Sequence, residues 1–135
     1  MSVLKINSLY KRFGKKEVVR GVDFSMETGE VLGLLGPNGA GKTTSFYMIV
    51  GFYRPTSGEV FLNDTCITRL PMYKRARMGI SYLPQEASVF RKLTVEQNIW
   101  AVLETRKDLS KAEKQYKLDE LIGEFNIERI RKQPA

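Results

Sequence analysis

The segment Gly36–Thr43 constrains the fold of this chain more than any other feature. It reads Gly-Pro-Asn-Gly-Ala-Gly-Lys-Thr and matches the pattern G-x-x-x-x-G-K-[ST] at every fixed position. An apolar run, residues 30–35, precedes it, and the stretch 43–52 that follows is long enough for a helix. The order strand, glycine-rich turn and helix begins a βαβ unit, so the sequence predicts an α/β fold.

This segment has the chemistry of a phosphate-binding loop. Glycines let successive backbone N–H groups point into one concavity, and the N-terminus of the next helix favours an anion there. We expect Lys42 to extend along the β- and γ-phosphates of a nucleoside triphosphate, and the Thr43 hydroxyl to hold Mg²⁺. The predicted nucleotide-binding residues are Gly36, Pro37, Asn38, Gly39, Ala40, Gly41, Lys42, Thr43 and Thr44.

The other sequence patterns predict strands first and helices afterwards. The nearly continuous apolar run 30–35 is typical of a strand buried on both faces of a parallel sheet. Beyond residue 93, capping boxes at Thr94–Gln97 and Ser110–Glu113 predict two helices. The remaining predicted elements are strands at 3–9, 18–26, 59–62 and 79–83, a turn at Phe13–Lys16 and a short helix at 72–77.

The composition excludes several kinds of site. The 135 residues include no histidine and one cysteine, Cys66. Nucleophile–histidine dyads, histidine-ligated zinc and an internal disulfide are therefore excluded, and the cysteine usage fits a reducing compartment. The first residues form no apolar signal segment, and the longest apolar stretch, 46–53, is far below the roughly 18 residues of a membrane helix.

The net charge of +7 does not by itself indicate which kind of partner the protein binds. Its basic excess lies in two patches, residues 1–20 and 61–80, rather than in one stripe. A solubilising surface is the favoured interpretation, and a face for nucleic acid or anionic lipid is the alternative. Because no motif for binding RNA or DNA accompanies the charge, we expect no nucleic-acid partner.

Three segments together resemble a known family. Gly36–Thr44 is similar to the P-loop of ABC-type ATPases, Pro55–Glu59 to the strand entry of these proteins, and Tyr82–Glu86 to their Q-loop. The resemblance extends over essentially the whole chain. Through Tyr82–Leu93 it is closest to the ATPases of lipopolysaccharide export, and branched-chain amino-acid importers resemble it next best.

The resemblance implies a fold and further site residues. Residues 1–93 would hold an antiparallel β subdomain and the start of a RecA-like βαβ core, and 94–135 part of a helical subdomain. Phe13 would stack on the adenine of ATP, with Tyr10 as the less favoured candidate for this position. Gln85 would reach Mg²⁺ and the attacking water, which makes Lys42 and Gln85 the expected catalytic residues.

The resemblance also implies partners and a location. ATP and Mg²⁺ would be bound in a homodimer with a second copy of the subunit. Transmembrane permease subunits would dock at the Q-loop region, where Phe90 and Arg91 offer an aromatic ring and a cation in a loop. The protein would be cytoplasmic and peripheral, on the inner face of the cytoplasmic membrane.

Three motifs of the family are not found in this sequence. They are the strand ending in Asp-Glu, the L-S-G-G signature and the switch histidine. The Asp-Glu pair at 119–120 follows polar residues, so we expect it on the solvated face of a helix. We therefore expect an N-terminal part of the domain without robust turnover by itself. The alternatives are a stand-alone polypeptide that binds ATP without hydrolysing it and an ABC-like ATPase that acts on nucleic acid.

Overall fold

The computed structural model describes residues 2–135. The described chain divides into two compact units, of which the first ends at Leu83 and the second spans Pro84–Ala135. None of the helices in this described range combines the length and the apolar content needed to cross a membrane.

The first unit contains an antiparallel sheet. Within the described residues it has four strands in the order β2-β1-β3-β4, namely β1 (Val3–Phe13), β2 (Lys16–Glu27), β3 (Ser57–Leu62) and β4 (Thr65–Cys66). The predicted strands at 3–9 and 18–26 are confirmed as parts of β1 and β2, which form an antiparallel hairpin in which Ile6 opposes Phe24. Phe13 was expected in the turn, but it is the last residue of β1 because it pairs with Lys16.

A bulge in β1 brings two apolar residues three positions apart onto the same face. Ile6 and Leu9 are both buried, although strict alternation along a strand would point them in opposite directions. The register shifts between them, and Ser8 has a φ of 43°. Asp23 stabilises this backbone by accepting a hydrogen bond from the Ser8 N–H at 2.7 Å. The extra residue explains why the apolar spacing of β1 is irregular.

Two helices complete the first unit, α1 (Lys42–Val50) and α2 (Met72–Arg77). Both lie where the sequence predicts helices. Met48 and Ile49 of α1 pack into the same core as the buried face of the sheet. That core consists of Ile6, Leu9, Val19, Met48, Ile49, Val60 and Ile67. The helix that follows the glycine-rich loop is therefore anchored on the antiparallel sheet.

Two predicted strands of the first unit do not form. Residues 30–35 and 79–83 have no regular secondary structure, and Val31, Leu35 and Leu83 are more than nine-tenths exposed. A strand of the parallel, doubly buried kind takes its hydrogen bonds and its burial from neighbouring strands. Within residues 2–135, no strand pairs with either segment. The prediction of a buried strand at 30–35 and of a short strand at 79–83 is thus wrong, although the apolar pattern itself is present.

The second unit is a pair of helices, α3 (Val95–Glu104) and α4 (Lys111–Glu124), followed by a 3₁₀ turn at Glu128–Ile130. Both predicted capping boxes are confirmed, with Thr94 and Ser110 as the N-cap residues. A small core joins the helices and consists of Leu103, Leu118 and Ile122, with Ile99, Trp100 and Ile127 packed against it. The Asp-Glu pair at 119–120 is exposed on α4, as expected.

Arg131 ties the last turn of the second unit to both helices. Its Nε donates to Glu96 at 2.6 Å, and its Nη2 donates to Asp119 at 2.9 Å. The hydrogen bonds to these two carboxylates raise the pKa of Arg131. The backbone N–H of Glu96 in turn donates to the Arg131 carbonyl at 3.0 Å. The chain after α4 is therefore fixed against the N-terminus of α3.

Candidate functional site

The N-terminus of α1 presents free backbone donors. Its N-cap residue is Gly41, which has a left-handed φ of 89°, and no side chain among residues 2–135 caps the helix. The first N–H groups of a helix have no partner within the helix. Where Ser, Thr, Asp or Asn would normally satisfy one of them, glycine leaves it open. These amides, together with the helix dipole, form an anion-binding end.

Gly41 also lets the loop approach the sheet closely. A Cβ atom at Gly41 would lie 2.5 Å from the carbonyl oxygen of Val18 and 3.1 Å from Cγ2 of Val19. No side chain fits at 2.5 Å from a backbone oxygen, so only glycine is compatible with this packing. Contact with β2 thereby explains the second fixed position of the sequence pattern, in addition to the phosphate-binding role that the pattern predicts.

Lys42 folds back over the loop that precedes it. Its ammonium group donates hydrogen bonds to the carbonyl oxygens of Gly36 and Pro37, the second at 3.0 Å. A turn in the same loop is closed by the Ala40 N–H, which donates to Pro37 at 3.1 Å. In the described chain, the first turn of α1 carries no acidic residue. The loop therefore combines one ammonium group with amide donors and has no competing carboxylate in that turn.

The hydroxyl groups after Lys42 differ in availability. Thr43 is exposed and Thr44 is half-buried. Ser45 is buried, and its Oγ donates to the Gly41 carbonyl at 2.9 Å. Thr43 is thus the accessible hydroxyl next to the lysine. Across residues 2–135, no cluster of three or more Cys, Asp or Glu side chains could hold a metal ion. A metal at Thr43 would need most of its ligands from phosphate oxygens and water, which suits Mg²⁺.

Phe13 belongs to a chain of aromatic contacts that leads to α1. Its ring centroid lies 5.3 Å from that of Tyr53 in an edge-on arrangement, and Tyr53 lies 5.3 Å from Tyr47 of α1. The Lys11 ammonium lies 5.0 Å from the centre of the Phe13 ring. Phe13 nevertheless stays 43% exposed. The ring is fixed in place and still offers surface for stacking.

Tyr10, the alternative candidate for stacking on adenine, has a different environment from Phe13. Its hydroxyl lies 2.7 Å from the position that a Cβ atom of Gly21 would occupy. The Tyr10 ring therefore covers the backbone of the neighbouring strand.

The sequence contained no signal for the contacts of Lys11 and Tyr53 with Phe13, since neither residue belongs to the loop motif.

Arg75 is a buried residue that the sequence motifs did not single out. It is only 1% exposed, and its guanidinium donates to four carbonyl oxygens. Two belong to the last turn of α1, at Met48 and Ile49, each 2.7 Å from Nη1. The others are the carbonyls of Thr68 and Leu70, at 2.8 and 2.9 Å. Burial lowers the pKa of Arg75. This arginine holds the C-terminal end of the helix whose N-terminus forms the loop.

The remaining predicted site residues lie in the second unit. Gln85, Phe90 and Arg91 are all exposed in the irregular segment before α3. The P-loop and Phe13 belong to the first unit. The backbone of Phe90 is hydrogen-bonded to the side chain of Asn98, which the sequence did not identify as a functional residue.

Comparison with known proteins shows which family the chain belongs to. The sequence profile described as "ABC transporter" matches residues 19–135. The "Lipopolysaccharide export system ATP-binding protein LptB" of Haemophilus influenzae is 52% identical, over 97% of this chain and 54% of that protein. The protein of the same name in Escherichia coli is 47% identical, over the same shares. The chain spans about half the length of the curated relatives that it matches.

Solved structures show the same fold. One, described as an ATP-binding subunit of an ABC transporter, superposes with a TM-score of 0.81 and 27% identity, over 98% of this chain and 54% of that one. Another, a nucleotide-free ATP-binding cassette from an ABC transporter, has a TM-score of 0.80. At 22% identity, over 100% of this chain and 58% of that one, it shows the fold alone. The chain belongs to the ABC transporter family.

Proposed function

We propose that this chain binds Mg-ATP at residues 36–44 and serves an ATPase that powers lipopolysaccharide export. The observation that carries the proposal is the start of α1, where uncapped backbone amides and the Lys42 ammonium group meet at one glycine-rich loop. A triphosphate offers the anionic oxygens that such donors bind. When it binds, Lys42 exchanges its bonds to loop carbonyls for bonds to phosphate oxygens.

Each loop residue has a definite role in this proposal. The backbone N–H groups of the loop bind the phosphate chain, while Lys42 neutralises charge on the β- and γ-phosphates. The exposed hydroxyl of Thr43 would hold Mg²⁺, with Gln85 as a second ligand. The ion supplies charge neutralisation along the phosphates. Gln85 orients the attacking water, and Phe13 stacks on adenine.

Hydrolysis belongs to the whole protein in its dimeric form. In this proposal two copies of the ATPase subunit bind ATP between them and couple its hydrolysis to transport. For these 135 residues alone we propose ATP binding without robust turnover. The two acidic residues at 119–120 lie on the surface of α4, where Asp119 accepts a hydrogen bond from Arg131 and Glu120 accepts one from Lys117. Their carboxylates are therefore not free to activate water.

The names of the relatives support the proposed transported substrate. Both the H. influenzae and the E. coli relatives carry the name of a lipopolysaccharide export system. We propose the same system for this chain and a location on the cytoplasmic face of the membrane. The permease subunits would bind the exposed Phe90 and Arg91, because an aromatic ring and a guanidinium group are side chains typical of interface hot spots.

The nucleotide site is tested by Lys42→Ala. Loss of the ammonium group is expected to weaken Mg-ATP binding about 10- to 100-fold, since charge-assisted hydrogen bonds to phosphate are lost. Isothermal titration calorimetry measures the affinity, and phosphate release in the same samples measures turnover. Lys111→Ala is the matched control, because Lys111 is also the first residue of a helix. Equal ATP affinity of both variants would refute the assignment of the P-loop.

The docking surface is tested separately by Phe90→Ala. We expect ATP affinity to be unchanged and binding to the membrane subunits of the lipopolysaccharide export system to fall about 30-fold or more. Co-purification in detergent gives a first result, and biolayer interferometry gives the dissociation constant. Tyr116→Ala removes a similarly exposed aromatic ring from α4 and is the control. Unchanged binding of Phe90→Ala would contradict the docking role.

A further inference from the structure

The exposed Phe90 lies at the start of a hydrogen-bonded turn. The Leu93 N–H donates to the Phe90 carbonyl at 2.9 Å, which closes a four-residue turn over 90–93. Arg91 and Lys92 occupy its two central positions, and both are exposed. The Phe90 side chain is 65% exposed. Side-chain burial therefore contributes little to holding the residue, and its conformation depends on its backbone hydrogen bonds.

One side chain of α3 binds both backbone groups of Phe90. The Phe90 N–H donates to Oδ1 of Asn98 at 2.8 Å, and Nδ2 of Asn98 donates to the Phe90 carbonyl at 3.1 Å. The amide of Asn98 thus pairs with Phe90 as a residue of a neighbouring strand would. Asn98 itself is half-buried on the first turns of a regular helix. The turn is in this way attached to a rigid element.

The surroundings of Asn98 require an amide in one orientation. Besides the Phe90 carbonyl, Nδ2 faces the carbonyl oxygens of Thr94 at 3.0 Å and Leu93 at 3.4 Å. Three acceptors surround the NH₂ group, and one N–H donor faces the oxygen. A flipped amide would place oxygen against oxygen. A carboxylate would do the same with a full charge, so aspartate does not replace asparagine here.

We propose that Asn98 is a positioning residue that holds Phe90 and the following turn in the shape that the membrane subunits bind. The inference rests on the proposed docking role of Phe90. A loop that is already ordered before binding loses less conformational entropy when the partner docks. Asn98 contributes to affinity in this way without touching the partner itself.

The first test measures the effect of the hydrogen bonds between Asn98 and Phe90 independently of any partner. In the full chain, hydrogen exchange of the Phe90 amide is followed by NMR in Asn98→Ala and in Gln97→Ala. Gln97 is the control because its side chain also accepts a hydrogen bond at the start of α3, from the Thr94 N–H at 2.9 Å, but forms no hydrogen bond with Phe90. We expect exchange at Phe90 to accelerate about tenfold or more in Asn98→Ala only. Equal acceleration in both variants would mean that Asn98 merely stabilises α3, and would overturn the proposal.

The second test is a double-mutant cycle against the membrane subunits of the export system in detergent. Asn98→Ala is expected to weaken binding about tenfold, and Gln97→Ala less than about twofold. If Asn98 acts through Phe90, the double variant Asn98→Ala with Phe90→Ala binds within about twofold of Phe90→Ala alone. ATP affinity stays at the wild-type value in all variants.

The outcomes separate this inference from the function on which it rests. Full multiplication of the two single effects in the double variant would overturn the positioning role and leave the docking role of Phe90 intact. Wild-type binding by Phe90→Ala would overturn the docking role and, with it, the positioning role of Asn98 toward a partner. A non-additive loss together with faster exchange at Phe90 supports both.

Discussion

Replacement of Arg75 by methionine is expected to destabilise the first unit by about 3 kcal/mol. The guanidinium donates to four carbonyl oxygens, and two of them end α1, where no later helical N–H can reach them. Each buried acceptor left without a donor costs at least about 1 kcal/mol, or about 4 kcal/mol for the set. Methionine recovers part of this because burying a charge is itself costly.

The measurement is urea unfolding of the full chain, with Arg77→Met as the matched control. Arg77 lies on the same helix, and Arg77→Met removes the same charge. Arg77 is exposed, however, and its guanidinium carbon lies 5.4 Å from the centre of the Tyr73 ring. We expect the control to lose less than about 1 kcal/mol. The free energy of unfolding of an ordinary domain is about 5–15 kcal/mol, so a decrease of about 3 kcal/mol is well resolved.

A second substitution keeps the test decisive if Arg75→Met does not fold. Arg75→Lys retains the positive charge but replaces a planar fork by a single ammonium group, which cannot reach all four carbonyls. Its stability should fall between those of wild type and Arg75→Met. The reasoning is refuted if Arg75→Met unfolds within about 1 kcal/mol of Arg77→Met, because the four hydrogen bonds would then contribute nothing measurable.

Two other perturbations follow from local geometry. Gly41→Ala should weaken Mg-ATP binding at least about tenfold and lower the midpoint of thermal unfolding, because the new Cβ would lie 2.5 Å from the Val18 carbonyl oxygen. A wild-type ATP affinity of this variant, measured by calorimetry, would contradict the reasoning from close packing. Glu113 has a lowered pKa, caused first by its hydrogen bond with the Ser110 side chain and then by the Ser110 backbone. Since the folded pKa lies below the unfolded value, the stabilisation is present above about pH 4.5 and is lost as the pH falls further. Glu113→Gln keeps the acceptor without the charge, so thermal melts of the two proteins should differ less at pH 3 than at pH 7.

Local patterns in the sequence determined most elements of this chain. The loop motif placed the start of α1 within one residue of Lys42, where the helix begins, and the capping boxes identified the starts of α3 and α4. Such features depend on residues within one turn of each other, so the sequence displays them directly. The roles of Gln85 in catalysis and of the loop residues in phosphate binding remain predictions.

Only the tertiary structure decided what depends on residues far apart in the chain. The apolar run 30–35 has the pattern of a buried strand, yet it stays irregular and exposed, because a strand exists only where neighbours accept its hydrogen bonds. The sequence contained no signal for the burial of Arg75 or for the hydrogen bonds of Asn98 with Phe90. The partners of both side chains are backbone carbonyls and N–H groups, which do not depend on the residue type. The sequence by itself therefore determined where the glycine-rich loop lies and which helix follows it. The tertiary structure decided which side chains hold that helix and the exposed turn in place, because those contacts form only when distant segments pack together.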